Sequence, residues 1–168
     1  MKQTKIIILK RGSTFFLRAA ILAIGIIVLA LCIFALPATW RAVPGEYPDI
    51  TYAFYCIILA MYGAVVPFFI ALYQGMRLLS FIDKNKAFSQ LSVKALKCVA
   101  YCGVAISAFY GATMPFFYVW AESDDAPGLI IISMMLTLAP LVVTVLVTVV
   151  QRLLRDAIAM KSENDLTV

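Results

Sequence analysis

Charged residues along this chain are confined to short stretches that separate four long uncharged blocks. Residues 19–40, 50–76, 98–121 and 126–151 contain no Asp, Glu, Lys or Arg. Each block exceeds the ~20 apolar residues with which a helix crosses the ~30 Å hydrocarbon core of a bilayer. Inside lipid every backbone amide must be satisfied within its own segment, so such blocks are expected to be helices. The pattern predicts an all-α fold, a four-helix transmembrane bundle with spans at about 14–38, 51–79, 93–120 and 128–154 and a tail at 155–168. The whole chain, 1–168, reads as one membrane domain.

Composition agrees with that reading. Hydrophobic residues make up 64% of the chain and charged residues 14%, outside the balance of a soluble domain. The four spans use most of the 168 residues and leave no room for a separate soluble domain. The basic start followed by an apolar run resembles a signal peptide, but the run is long and lacks a small-x-small site near its end. Leu31 before Cys32 also argues against lipoprotein cleavage, so the first span is expected to stay.

The cations orient the spans. Lys2, Lys5, Lys10, Arg11 and Arg18 precede or open the first span. Arg77, Lys84, Lys86, Lys94 and Lys97 flank the connection between spans two and three, against Asp83 alone. Arg152, Arg155 and Lys161 follow the fourth span, with Asp156, Glu163 and Asp165. Arg41 is the only cation on the other side, which carries Glu46, Asp49, Glu122, Asp124 and Asp125. Short loops rich in Lys and Arg stay in the cytoplasm, so both termini are expected inside and the protein in the cytoplasmic membrane. The net charge of +5 is then a topology and lipid-headgroup signal, and no direct nucleic-acid binding is expected.

Two internal echoes stand out. Pro37 with Trp40 closes span one as Pro115 with Trp120 closes span three; Pro67 and Pro140 lie mid-span, and Arg77-Leu78-Leu79 answers Arg152-Leu153-Leu154. This layout predicts two hairpins related by a parallel internal repeat. The second echo joins spans two and three: Tyr62-Gly63-Ala64-Val65-Val66-Pro67-Phe68-Phe69 returns as Tyr110-Gly111-Ala112-Thr113-Met114-Pro115-Phe116-Phe117. Gly-Ala admits close backbone approach, and Pro removes a helix hydrogen bond. One reading is close packing of two kinked helices. The other is an outer-leaflet cavity for an apolar ligand or lipid, formed by Tyr62, Gly63, Pro67, Phe68, Tyr110, Gly111, Pro115 and Phe116.

Missing chemistry narrows the function. The chain has no His, and no acid or base falls within a span. Ion-coupled carriers place an ionisable group at membrane depth as their coupling device, so a pump or secondary transporter is not expected. The deep polar residues are Gln74, Tyr55, Tyr62, Tyr73, Thr113, Thr137, Thr144 and Thr148, which can orient a ligand but cannot cycle a proton alone. Ser107 and Ser133 lack a His or Lys partner at span depth, so no intramembrane hydrolase is expected either. Cys98 and Cys102 share a helix face, as a metal or redox pair would; Cys32 and Cys56 stand alone, and small apolar filler accounts for all four. No enzyme, metal or cofactor is expected.

At the cytoplasmic face, Asp83-Lys84-Asn85-Lys86-Ala87 forms a polar turn, and Ser89 or Ser92 is placed to cap the third helix. Phe88, Leu91 and Leu96 are expected to dip into the interface while the neighbouring lysines reach headgroups. Arg152 and Asp156 form an i,i+4 pair, and the closing residues, polar and short, are expected to fray in water. Ala87-Phe88-Ser89 leading into Val93-Lys94-Ala95-Leu96-Lys97, together with the closing Glu163-Asn164-Asp165-Leu166-Thr167-Val168, resembles the family of short prokaryotic membrane proteins called domain of unknown function 2975. The Lys84-Asn85-Lys86 turn departs from that pattern, where a Gly-containing turn is expected. Members of that family are often encoded beside a small Cro/CI-like helix-turn-helix regulator. The resemblance therefore implies a membrane partner for a cytoplasmic DNA-binding protein; with the charged cytoplasmic face, the expectation is a membrane sensor or anchor that docks it through Lys94, Arg152, Arg155, Glu163, Asp165 and Leu166. The alternative is a small exporter, channel or immunity-type membrane protein, with a pore at the interface of a homo-oligomer.

Overall fold

The computed structural model describes the backbone of residues 2–46, 48–84 and 88–166, and their side chains except at 2–13, 43, 44, 46 and 164–166. The elements are α1 (Lys2–Ala30), a π-helical segment (Leu31–Ala35), α2 (Leu36–Glu46), α3 (Thr51–Asp83), α4 (Gln90–Ser123) and α5 (Gly128–Leu166). The first three run on as one rod, so the chain is all-α, with no strand among the described residues. Four stretches are long and apolar enough to cross a membrane: Thr14–Ala42, Thr51–Asp83, Gln90–Ser123 and Gly128–Glu163. The helices extend past the spans at both chain ends. Helix α1 already starts at Lys2, and α5 continues through the tail to Leu166 instead of fraying. Beyond Pro140, α5 contains neither Gly nor Pro, and Ala157, Ala159, Met160 and Lys161 are strong helix formers.

Short connections make successive rods antiparallel. Ser89 is the residue that caps α4, its hydroxyl accepting from the Ser92 N–H at 3.4 Å. At the far end of α4 the chain turns through Asp125, whose φ of 50° is left-handed. There the Ala126 N–H reaches back to the Ala121 carbonyl at 2.9 Å, a helix-terminating bond. The termini, with the α3–α4 connection, thus share one end of the molecule, the termini end. The α2–α3 and α4–α5 connections share the other, the loop end.

The rods form an open row rather than a closed ring. Helix α4 packs extensively against α3 on one side and α5 on the other, while α1 packs substantially only against α3. Most of the buried residues lie on α3 and α4, and α4 contributes a run from Ser92 to Ala121. Leu96 belongs to that core, so it does not dip into the interface, whereas Phe88 and Leu91 stay exposed. Lipid tails are as apolar as Leu, so contact area alone does not draw spans together; backbones held close by small residues do. A Cβ on Gly63 would stand 2.7 Å from the Phe109 ring across the α3–α4 seam. At the α4–α5 seam a Cβ on Gly103 would collide with the Thr144 hydroxyl and stand 3.2 Å from the Pro140 carbonyl. That hydroxyl lies 2.9 Å from the Pro140 carbonyl and 3.5 Å from the Ala100 carbonyl, so it spans the seam.

Pro67, Pro115 and Pro140 lie inside α3, α4 and α5. In the first two cases the residue four back, whose carbonyl meets the ring, is Gly63 or Gly111. That position is the Gly of the repeated Tyr-Gly-Ala-x-x-Pro-Phe-Phe run, so proline and close-approach glycine sit one turn apart on each helix. Pro37 is handled by the widened π-helical turn that precedes it. In that turn the Leu36 N–H goes to the Leu31 carbonyl, and Pro37 has no N–H to offer Cys32. The orphaned Cys32 carbonyl accepts instead from the Tyr62 hydroxyl of α3, at 3.1 Å.

Three further contacts tie the first rod to α3. A Cβ on Gly25 would stand 3.0 Å from the Leu72 side chain, closer than ordinary contact, so its absence lets α1 approach α3. At the loop end Trp40 stacks on Tyr55, centroids 4.4 Å apart, beside a Phe54–Trp120 pair at 4.7 Å that joins α3 to α4. At the termini end Arg18 pairs with Asp83 at 2.8 Å and donates to the Ser80 hydroxyl at 3.1 Å.

Two stability predictions follow the two kinds of seam. Gly103→Val should overpack the α4–α5 crossing and cost about 1–3 kcal/mol, read as a lower unfolding midpoint in detergent, while Gly45→Val, with open space around it, should leave the midpoint in place. Tyr62→Phe should cost about 0.6–1 kcal/mol and raise proteolysis or amide exchange selectively in 31–37. Uniform loosening of all four rods would disprove the local clasp.

Candidate functional site

The open row leaves a groove where α3 and α5 rise on either side of α4. Its volume is about 770 Å³, and all four spans contribute to it: Ile21 from α1, Phe68 and Leu72 from α3, Tyr110 from α4, Met135 and Pro140 from α5. The remaining wall residues are Gly, Ala, Val, Ile and Leu, so the Tyr110 hydroxyl is the one side-chain polar group on the lining. An ionised or strongly hydrated ligand would lose its water there without replacement, whereas an apolar or amphiphilic one would not.

The eight residues expected to share a cavity are only partly brought together. Phe68 and Tyr110 reach the groove; Tyr62, Gly63, Pro67, Gly111, Pro115 and Phe116 are not on its lining. Geometry explains the split. Helices α3 and α4 are antiparallel and meet at Gly63 and Phe109, so 62–69 runs from that level towards the termini end and 110–117 towards the loop end. Tyr62 is occupied with Cys32, Gly63 with Phe109, and Gly111 faces the Thr137 methyl at the α4–α5 seam. The two copies of the motif therefore serve two different seams.

The deep polar residues are largely spent on their own helices. Thr113 donates to the Tyr110 carbonyl, Thr137 to Ser133, and Thr148 to Thr144. Gln74 Oε1 and Ser107 Oγ are buried with no hydrogen-bond partner among the described residues. The four cysteines are free thiols. No group of three or more Cys, Asp or Glu able to hold a metal occurs among the described residues.

At the termini end, Lys94, Arg152, Arg155 and Glu163 are exposed. Asp165 falls near the end of α5 and Leu166 closes it, with side chains outside the described residues; Asn85, Lys86, Thr167 and Val168 lie outside them altogether. Arg152 and Asp156 are both exposed, and an ion pair at this end joins Arg18 to Asp83 across α1 and α3. The sequence placed Arg18 and Asp83 at the same end but offered no sign of their pairing, because it joins positions far apart in the chain. Ile21 and the α5 wall likewise carried no signal, being ordinary aliphatic residues in apolar blocks.

Comparison with known proteins agrees with this architecture. The chain is 51% identical over 160 residues to the uncharacterized membrane protein YoaS of Bacillus subtilis (strain 168), covering 95% of this chain and all of the relative. No solved structure matches. The family described as a protein of unknown function, DUF2975, matches residues 42–168, from the end of the first rod through the tail. This multi-pass membrane protein belongs to the DUF2975 family.

Proposed function

We propose that the protein is a membrane sensor: a lipid-soluble or amphiphilic molecule occupies the groove, and a soluble helix-turn-helix regulator docks at the termini end and responds to that occupancy. One observation supports this reading above the others. Helix α5 lines the groove with residues 132–143 and continues unbroken to Leu166, about 35 Å further along one rigid rod. A ligand that tilts or straightens α5 against α4 moves the whole exposed surface that bears Arg152, Arg155 and Glu163. The first rod supplies the second moving part, since Ile21 reaches the groove although α1 packs substantially only on α3.

Such a sensor works only if the two arrangements of the bundle differ in affinity for both ligand and regulator. The regulator is the partner that the family resemblance implies, and the cytoplasm is the side on which the cation-rich end would lie. The reading assigns the protein no catalysis.

Two measurements test it. Ala71→Trp fills the groove wall from α3, and retention of a fluorescent lipophilic probe should fall at least fivefold while the unfolding midpoint stays within a few degrees. The intact protein, purified in mild detergent beside a version ending at Met160, should retain a small DNA-binding protein that the shortened version loses. Finding no such protein with either version would overturn the docking half. Solute flux across sealed vesicles that Ala71→Trp abolishes would replace the sensor with a conduit.

A further inference from the structure

The opposite face of the α4–α5 layer carries a second cavity, about 240 Å³, that shares no residue with the groove. It is graded along its length. Lys97 and Gln151 stand at the end nearest the termini, Tyr101 and Thr148 follow, and Val104 with Thr144 close the deep end. Lys97 holds its ammonium 5.7 Å from the Tyr101 ring, so the cation is steered along the helix surface beside the cavity. Lys97 is exposed, and no carboxylate lines the wall. Lys94 one turn away and the exposed Arg152 and Arg155 add positive field, against Asp156 further along α5.

A cation and a carboxamide with two N–H donors at one end match a phosphate diester. Soluble phosphate would use that end alone. From Lys97 to Val104 the cavity follows α4 for about 10 Å towards the middle of the span, and it becomes apolar as it goes. The Thr144 and Thr148 hydroxyls donate to carbonyls of their own helix, so the deep wall presents mainly methyls. Only a molecule with a charged head and a hydrocarbon chain uses both ends.

We propose that this seam is a binding site for one anionic phospholipid, its phosphate on Lys97 and Gln151 and one acyl chain lying past Tyr101 to Val104. The site stands independently of the sensor reading, since the two cavities lie on opposite faces of the α4–α5 layer. Bound there, the lipid bridges α4 and α5 at the cation-rich end, beyond the Gly103 crossing.

The test uses the full-length protein in mild detergent, exchanged with phosphatidylglycerol or phosphatidylcholine, with retained lipids counted by native mass spectrometry. The intact protein should keep one phosphatidylglycerol in preference to phosphatidylcholine. Lys97→Gln should lower that retention about fivefold, Lys97→Arg should preserve it, and Lys84→Gln, an exposed cation outside the cavity, should leave it unchanged. Val104→Trp, which blocks the deep end but leaves the cation, should also release the lipid. Equal losses from Lys97→Gln and Lys84→Gln would show diffuse headgroup attraction and overturn the site. So would full retention in Lys97→Gln, or displacement of the lipid by excess inorganic phosphate.

Discussion

Close backbone approach to α4 is the constraint on which the rest of this molecule depends. In hydrocarbon a span gains little from burying Leu or Val against another span, because lipid already solvates them. What holds spans together is dispersion between surfaces that small residues bring close, together with the polar bonds that such closeness allows. Gly103 under Thr144 and Pro140, and Gly63 under Phe109, set those two approaches. The buried face of α4 carries the same character elsewhere, with Ser92, Ala95, Cys102, Ser107, Thr113 and Ala121. With α3 and α5 fixed on separate sides of one helix, the groove between them is a consequence of the packing and needs no residue of its own to hold it open.

The first rod obeys a different rule. It is tethered by a few specific polar and aromatic contacts at separate heights: Arg18 with Asp83 and Ser80, Tyr62 with the Cys32 carbonyl, and Trp40 with Tyr55. The Tyr62 bond shows how backbone accounting reaches into tertiary structure. Pro37 widens its own helix into a π turn, the turn orphans one carbonyl, and a neighbouring helix must supply the donor because no water is at hand. A rod held in this way can shift at modest cost, since no continuous close-packed seam has to be broken. That property suits the element that the proposed sensor needs to move.

Groove and seam cavity use one layer of helices from its two faces. The α4–α5 pair presents an aliphatic wall with one tyrosine hydroxyl on one side and a head-to-tail gradient of polarity on the other. Both faces converge on the crossing at Gly103, so the proposed lipid at the cation-rich end and the proposed ligand in the groove would bear on the same contact from opposite directions. In the proposed sensor, α5 would carry such a change out to its charged end.

Charge alone delimited the four rods, because a span free of Asp, Glu, Lys and Arg over more than about 20 residues has one stable form in lipid. The helical content, the Ser89 cap, the tryptophans at the loop end and the family were legible from that pattern and from short motifs. Length along the rods was less so: α5 runs on through the polar Ser162-Glu163-Asn164-Asp165 segment, where local propensity is weak and the pattern points to a frayed end. The echo Tyr-Gly-Ala-x-x-Pro-Phe-Phe was visible, and its close-packing meaning could be weighed, but its partners could not. Two antiparallel copies run apart from their shared level, so Tyr62 turns to Cys32 while Tyr110 turns to the groove. Which uncharged face meets which is decided by complementary shape between positions distant in the chain. In a span where nearly every residue is apolar, periodicity carries no record of that choice, and only the tertiary structure supplies it.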